Sequence, residues 1–322
     1  MSSNTPSPSA GPELRWHPFL RQWVGVAAHR QDRPQMPADW CPFCPGSGRV
    51  PDHYDVLIYP NDFPAFSEDA RPFSPQTGLY CSTGARGACD VVLYSPNHHL
   101  LPSQLPPEHW EKVVDLWTHR TGELKAIPEV QYVQIFENTG VAIGVTMPHP
   151  HGQIYAFPFH PPLVETVFES ARQHAGDCLW CTVVKDEIDS GVRVVASNNS
   201  FIAFVPFWGR FPTEVQITAR RHFANLADLT GAERRDLAAI ISVVRRKYDN
   251  LYGFPMPLMM LVRQGPKEPA PWFHFHIEFF PIQRSPKKLK YLAAVESGTG
   301  TFLNDTRPEA QAEALRRAEP GG

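Results

Sequence analysis

A cysteine and histidine pattern that occurs twice in the same order constrains this chain more than any other feature. The first half runs Cys41-Pro-Phe-Cys44, then His98, then Phe136-Glu-Asn-Thr-Gly140, then His149-Pro-His151-Gly-Gln153. The second half answers with Cys178-Leu-Trp-Cys181, then His222, then Leu261-Val-Arg-Gln-Gly265, then His274-Phe-His276-Ile-Glu278. His98 precedes His149 by 51 positions and His222 precedes His274 by 52. Unrelated histidines rarely keep such a register, so the chain reads as one structural unit duplicated.

The segments between the matched histidines indicate what that unit is. Pro107 to Lys125 spaces Trp110, Val113, Val114, Leu116 and Trp117 along a helical stripe, and Ala232 to Leu251 does the same with Leu237, Ile240, Ile241, Val244 and Tyr248. Each helix leads into a β-like run, 130–136 in the first half and 257–262 in the second. Further strands are expected at 56–59, 91–94, 202–207 and 215–218. The fold expected is α+β: two half-barrel units of mainly antiparallel sheet, each with one main helix packed on it, able to join into one larger sheet. The expected boundaries are a disordered N-terminal tail at 1–12, an N-terminal catalytic repeat at 13–160, a C-terminal repeat at 161–305, and a C-terminal helix or tail at 306–322.

Hydrophobic residues at 42% and charged residues at 20% suit a folded core. A net charge of −3, from 30 basic and 33 acidic residues, provides no broad positive field, so neither nucleic acid nor an anionic membrane is expected as a partner. The opening Met1 to Pro12 has no charged-then-apolar leader pattern, and no apolar run approaches about 18 residues. A cytoplasmic protein is expected. In a reducing compartment, two Cys-x-x-Cys pairs point to metal or redox chemistry before disulfides, while Cys81 and Cys89 read as plain thiols.

A Cys-x-x-Cys pair followed by two separated histidines forms a tetrahedral N/S set that suits zinc. The first expected site is Cys41, Cys44, His98 and His149, with His99 a rival for His98. The second is Cys178, Cys181, His222 and His274. Neither set leaves an obvious position for water, so both ions are expected to be structural. In the pentapeptide at 149–153, Pro150 favours an extended backbone, and residues two apart on a strand share a face. His149 can then bind the ion while His151 faces substrate. Gly152 would let backbone amides approach a phosphate, and Gln153 can donate to a nonbridging oxygen. His151 is the expected nucleophile toward phosphorus, because a neutral imidazole attacks well near neutral pH.

With these residues in hand the chain resembles the galactose-1-phosphate uridylyltransferases, a branch of the histidine-triad superfamily. The resemblance runs from about Leu14 to Asp305. It includes His29-Arg30-Gln-Asp-Arg33-Pro34, Asn61-Asp62-Phe63-Pro64-Ala65, Ser95-Pro-Asn-His98, Phe136-Glu-Asn138, the His149 pentapeptide and Lys290-Tyr-Leu-Ala-Ala-Val-Glu296. It implies that His151 takes uridylyl from UDP-glucose and passes it to galactose 1-phosphate in a ping-pong cycle. It also implies that Arg30, Arg33, Asn61, Asp62, Asn138, Thr146 and Gln153 surround the nucleotide and phosphates, that Lys290 and Glu296 lie near the sugar phosphate, and that the protein is a homodimer. Val295-Glu296 stands where many members carry Tyr-Glu. The Cys178/Cys181/His222/His274 set is similar to the second zinc site of plant homologues acting on ADP-glucose, not to the iron site of enterobacterial members. Two alternatives stand beside this reading. One is an ADP-sugar or dinucleoside-polyphosphate phosphorylase or adenylyltransferase of the same superfamily, against which Gly152 argues. The other is a non-catalytic, zinc-stabilised nucleotide-binding protein. His276-Ile-Glu278 in place of His-Gly-Gln implies that the second copy serves as scaffold.

Overall fold

A computed structural model describes residues 11–32 and 40–318. Its elements in chain order are β1 (Glu13–His17), β2 (Gln22–Val26), β3 (Leu57–Pro60), β4 (Ser82–Gly84), β5 (Ala88–Leu93), α1 (Pro107–Ala126), β6 (Tyr132–Thr139) and β7 (His151–Phe157). Then come α2 (Pro162–Gln173), α3 (Leu179–Ser190), β8 (Val194–Ser197), β9 (Phe201–Phe204), β10 (Val215–Ala219), α4 (Gly231–Tyr252), β11 (Leu258–Arg263) and β12 (His276–Pro281). The chain closes with β13 (Gln283–Ser285), β14 (Lys288–Leu289), α5 (Ala294–Thr299) and α6 (Pro308–Arg317).

Nine strands form one sheet in the order β3-β5-β7-β6-β11-β12-β10-β9-β8, with every neighbouring pair antiparallel. The two copies meet at β6 and β11. Phe136 and Leu261 hold equivalent places in the repeated sequence, and they lie directly opposite each other in that pairing. A pseudo-twofold axis therefore passes between them, and strand order runs outward from it in matching sequence. This is the expected α+β class with a mainly antiparallel sheet, joined into a single sheet.

The two long helices lie on one face and pack against each other. Their expected apolar stripes are the buried ones: Trp110, Val113, Val114 and Trp117 on α1, and Leu237, Ile240, Ile241, Val244 and Tyr248 on α4, share one core with alternate residues of the strands. α1 starts on Pro107, whose missing N–H is no loss in a first turn. α4 starts on a capping box in which the Glu233 amide donates to Thr230 Oγ1 and the Glu233 carboxylate accepts from the Thr230 amide. A buried ion pair between Arg245 of α4 and Glu137 of β6 ties the two copies together beneath the seam.

The opposite face is covered differently in the two halves. In the first, the Cys41–Cys44 loop packs on Val91 and Leu93 of β5, and the small β2-β1-β4 sheet covers the stretch near Cys89. In the second, α2 and α3 lie over the sheet, packing on Tyr132 and on Ile202 and Phe204. These two helices go beyond the single main helix expected per repeat. The expected 1–12 tail falls outside the described residues except for Gly11 and Pro12.

Candidate functional site

The strand alternation of β7 sets the site. Gly152, Ile154 and Ala156 are buried toward the helices, whereas His151, Gln153 and Tyr155 point to the other face. Gly152 thus has a different purpose from the one its sequence context indicates. A Cβ built there would lie 2.2 Å from the Tyr94 hydroxyl and 3.2 Å from the Phe136 carbonyl, so the missing side chain admits the buried Tyr94 and does not open the phosphate face.

Just before β7, His149 is buried and joins Cys41, Cys44 and His98, with all four ligand atoms within 4.8 Å of one another. Cys44 Sγ lies 3.5 Å from His98 Nδ1, and both sulfurs lie 3.8 Å from His149 Nδ1. Ligands about 2.3 Å (S) and 2.0 Å (N) from a tetrahedral zinc stand about 3.5 Å apart, so these edges fit that ion. His98, and not His99, completes the set. His149 Nε2 donates to the Ser95 carbonyl at 2.7 Å, which turns Nδ1 inward as an acceptor for metal. Burial drives the His149 imidazole down to about 4, keeping it neutral, and pushes the Cys41 thiol up to about 11. The Cys41 thiol in such surroundings ionises only when a cation supplies the opposing charge.

The second cluster repeats this geometry. Cys178, Cys181, His222 and His274 also lie within 4.8 Å, with Cys181 Sγ 3.4 Å from His222 Nδ1 and 3.5 Å from His274 Nδ1. His274 Nε2 donates to the Ala219 carbonyl at 2.9 Å, the counterpart of the Ser95 contact. Burial again takes this imidazole down to about 4, and Cys181 up to about 11. The donor sets fit a tetrahedral cation in both copies.

His151 lies at the edge of the first cluster. Its Nδ1 donates to the His149 carbonyl at 2.7 Å, making Nε2 the nitrogen able to attack. Phe43, from inside the Cys-x-x-Cys turn, packs its ring against both His149 and His151 at 5.9 and 6.0 Å. His151, Asn138 and Thr146 line one cavity of about 250 Å³. Gln153 and Tyr155 continue the His151 row, and Arg30 reaches it through a 3.4 Å bond from Nη1 to the Tyr155 hydroxyl and a 3.2 Å bond to the Phe63 carbonyl.

The remaining sequence candidates are placed less directly. Asn61 Oδ1 accepts from the Phe63 amide and shapes a turn, while the Asp62 carboxylate accepts from Arg49 and the Tyr59 hydroxyl. Lys290 is buried and donates to Glu296 at 2.9 Å; that hydrogen bond holds the Glu296 carboxyl down at about 2. Neither lines the His151 cavity among the described residues. Arg33 lies outside the described residues. Tyr54, absent from the sequence-based candidates, places its hydroxyl 3.1 Å from both His149 Nε2 and the Ser95 carbonyl. Nothing in the spacing of the chain marks that tyrosine.

Comparison with known proteins agrees with the geometry. The family model for the galactose-1-phosphate uridyl transferase N-terminal domain matches residues 7–161, and that for the C-terminal domain matches 165–316. A galactose-1-phosphate uridylyltransferase of Thermotoga maritima is 38% identical over 315 residues, covering 95% of this chain and 98% of its own. A solved uridylyltransferase structure superposes with a TM-score of 0.88 at 34% identity, covering 95% of this chain and 98% of that one. An ADP-glucose phosphorylase from Arabidopsis thaliana shares the fold at a TM-score of 0.74 and 24% identity, covering 95% and 98%. With both halves matched in order and both Cys₂His₂ clusters assembled, the chain belongs to the galactose-1-phosphate uridyl transferase family.

Proposed function

We propose that this protein is a UDP-glucose:hexose-1-phosphate uridylyltransferase that moves UMP to galactose 1-phosphate through a covalent uridylyl-histidine. The observation that carries this is the Nδ1-to-carbonyl bond of His151, which presents Nε2 as nucleophile beside the Asn138 and Thr146 cavity. Nε2 attacks the α-phosphorus, a P–N bond forms, the P–O bond to the β-phosphate breaks, and glucose 1-phosphate leaves. Ring charge that develops on attack is stabilised by the His149 carbonyl at Nδ1–H. A phosphate oxygen of galactose 1-phosphate then attacks the same phosphorus, UDP-galactose departs, and His151 is restored. Gln153 and Arg30, aligned along β7, donate to the phosphate oxygens as charge builds. Arg33, Asn61, Asp62, Asn138 and Thr146 complete the nucleotide side by family pattern, and Lys290 with Glu296 the sugar side.

The Cys₂His₂ sets would hold two structural zinc ions per chain, the first fixing the strand entry that carries His151. The duplicated ligand geometry supports this, and metal analysis of untagged protein giving less than about 0.3 zinc per chain would refute it. A homodimer in the cytoplasm completes the reading; sedimentation of a fully active 36.3 kDa monomer would contradict the dimer.

The decisive test uses UDP-glucose labelled in the α-phosphate, followed by an alkaline quench. Wild type should retain label on the protein, His151→Gly should retain none, and Gln153→Ala should form the adduct on the order of 10²-fold more slowly. Label on His151→Gly at wild-type stoichiometry would overturn the assignment. An ADP-sugar specificity would appear as labelling from ADP-glucose in preference to UDP-glucose.

A further inference from the structure

The second copy lacks the reactive pentapeptide, yet it does not close up. On the face where the first copy carries His151, the second holds a cavity of about 320 Å³. Its floor is formed by Gln216 of β10, Arg263 of β11 and Glu278 of β12; its walls include Phe168 of α2 and Trp180 of α3, with Trp208 half-exposed at the rim. The correspondence is close. His276 stands where His151 does, Glu278 where Gln153 does, and Trp180 where Phe43 does in the Cys-x-x-Cys turn.

Its chemistry differs from the first copy in charge and in shape. Arg263 is committed, its Nε donating to Glu278 at 2.7 Å and its Nη1 to Gln134 at 3.1 Å. No other lysine or arginine is among the described residues lining the cavity, so the lining offers a phosphate no uncommitted guanidinium or ammonium partner. The Trp180 ring lies 5.0 Å from that of His276 at 30°, and aromatic side chains make up much of the wall. Gln216 is only 4% exposed, and its Oε1 is a buried acceptor with no partner among the described residues. A buried acceptor without a donor is costly unless something supplies one.

We propose that this cavity is a second ligand site, for an uncharged nucleobase or nucleoside whose flat face packs on the aromatic wall and whose N–H donates to Gln216 Oε1. The choice of a heterocycle rests on reading the first cleft as a nucleotide site, of which this is the pseudo-twofold counterpart. The lack of an uncommitted lysine or arginine among the described lining residues favours an uncharged ligand over a phosphorylated one. On this view the second repeat has exchanged transfer chemistry for neutral recognition, and is more than scaffold.

The test is fluorine NMR of the metal-loaded protein carrying 5-fluorotryptophan, with resonances assigned by single Trp→Phe replacement. Adenosine is the probe, because the first cleft is assigned to uridine nucleotides. The Trp180 and Trp208 signals should shift saturably with a Kd at or below about 1 mM, and AMP should bind more weakly. Gln216→Leu should weaken adenosine roughly tenfold, the loss expected for one hydrogen bond to a buried acceptor. Val183→Trp, which fills the cavity from α3, should abolish the shift while the protein keeps its metal content and transferase activity. No saturable response at Trp180, a response confined to Trp40 beside the first metal cluster, tighter binding of AMP, or unchanged affinity in both variants would overturn the proposal. Transfer assayed on the same samples reads the first cleft separately: adenosine binding without transfer would count against the uridylyl reading and leave the second site standing.

Discussion

One missing carbon at Gly152 decides how closely the strand carrying His151 can lie on the helices beneath it. Tyr94 is fully buried, with its ring 5.3 Å from Trp110 and 6.1 Å from Trp117, so its hydroxyl has little room to retreat from a new Cβ. Gly152→Ala is expected to cost about 1–3 kcal/mol by overpacking and to displace His151, lowering kcat more than it raises KM. Adding Tyr94→Phe removes the atom that would stand nearest and should recover part of both losses. Thermal unfolding and steady-state kinetics on the single and double variants check this, and a single variant with parental stability and rate would show that the strand lifts freely. Gly152 therefore carries little information about nucleotide specificity. A serine at this position would point at Tyr94 and not at a base, so the residue cannot itself select uridine over adenine.

At the scale of elements, the start of α4 matters beyond its own helix. Arg221, adjacent to His222 of the second Cys₂His₂ cluster, donates to both oxygens of Glu233 and to the Asp228 carbonyl, tying the His222 loop to the capping box. The Arg221 hydrogen bond holds the Glu233 carboxyl down at about 2. A depressed carboxyl contributes stability that is complete above its unfolded value of about 4.5 and is lost as pH falls from there through about 2. Glu233→Ala should therefore cost about 1–2 kcal/mol at pH 7, with the gap from wild type narrowing toward pH 3. Urea unfolding at the two pH values measures it; equal stability at pH 7 would mean the box is idle. The long helices and central strands were legible because α1 and α4 each sustain an apolar stripe over about five turns, a signal that burial alone explains. α2 and α3 escape the sequence reading although Val164, Phe168 and Ala171 keep helical spacing, because each spans only 12 residues, too few turns for an apolar stripe to stand out. The two Cys₂His₂ clusters were legible because both copies preserve the order of their members. The lone Tyr54, and the side of the strand on which Gly152 lies, depend on three-dimensional packing that spacing does not encode.

For the whole molecule, duplication gives a sheet that is continuous but chemically unequal: one half carries His151 and Gln153, the other His276 and Glu278 in the same places. The Arg245–Glu137 pair, both partners buried, and the β6–β11 pairing make the halves a single mechanical unit. The seam at Phe136 and Leu261 also bears on how such a chain could come apart. A protein cut between 161 and 165 would leave β6 as a bare edge strand, with a row of unsatisfied amides and carbonyls. Since the seam joins equivalent residues in antiparallel register, the partner that best fits this edge is a second copy of the same fragment, Phe136 against Phe136. The expected outcome is that residues 11–161, with metal, sediment as a symmetric pair across β6, and that Ile135→Pro, which removes an edge N–H, yields monomer or aggregate; a stable monomer of the parent fragment would refute this. A gene encoding one repeat could have formed this sheet by self-association before fusion, and fusion is what freed one copy to diverge without disabling the other.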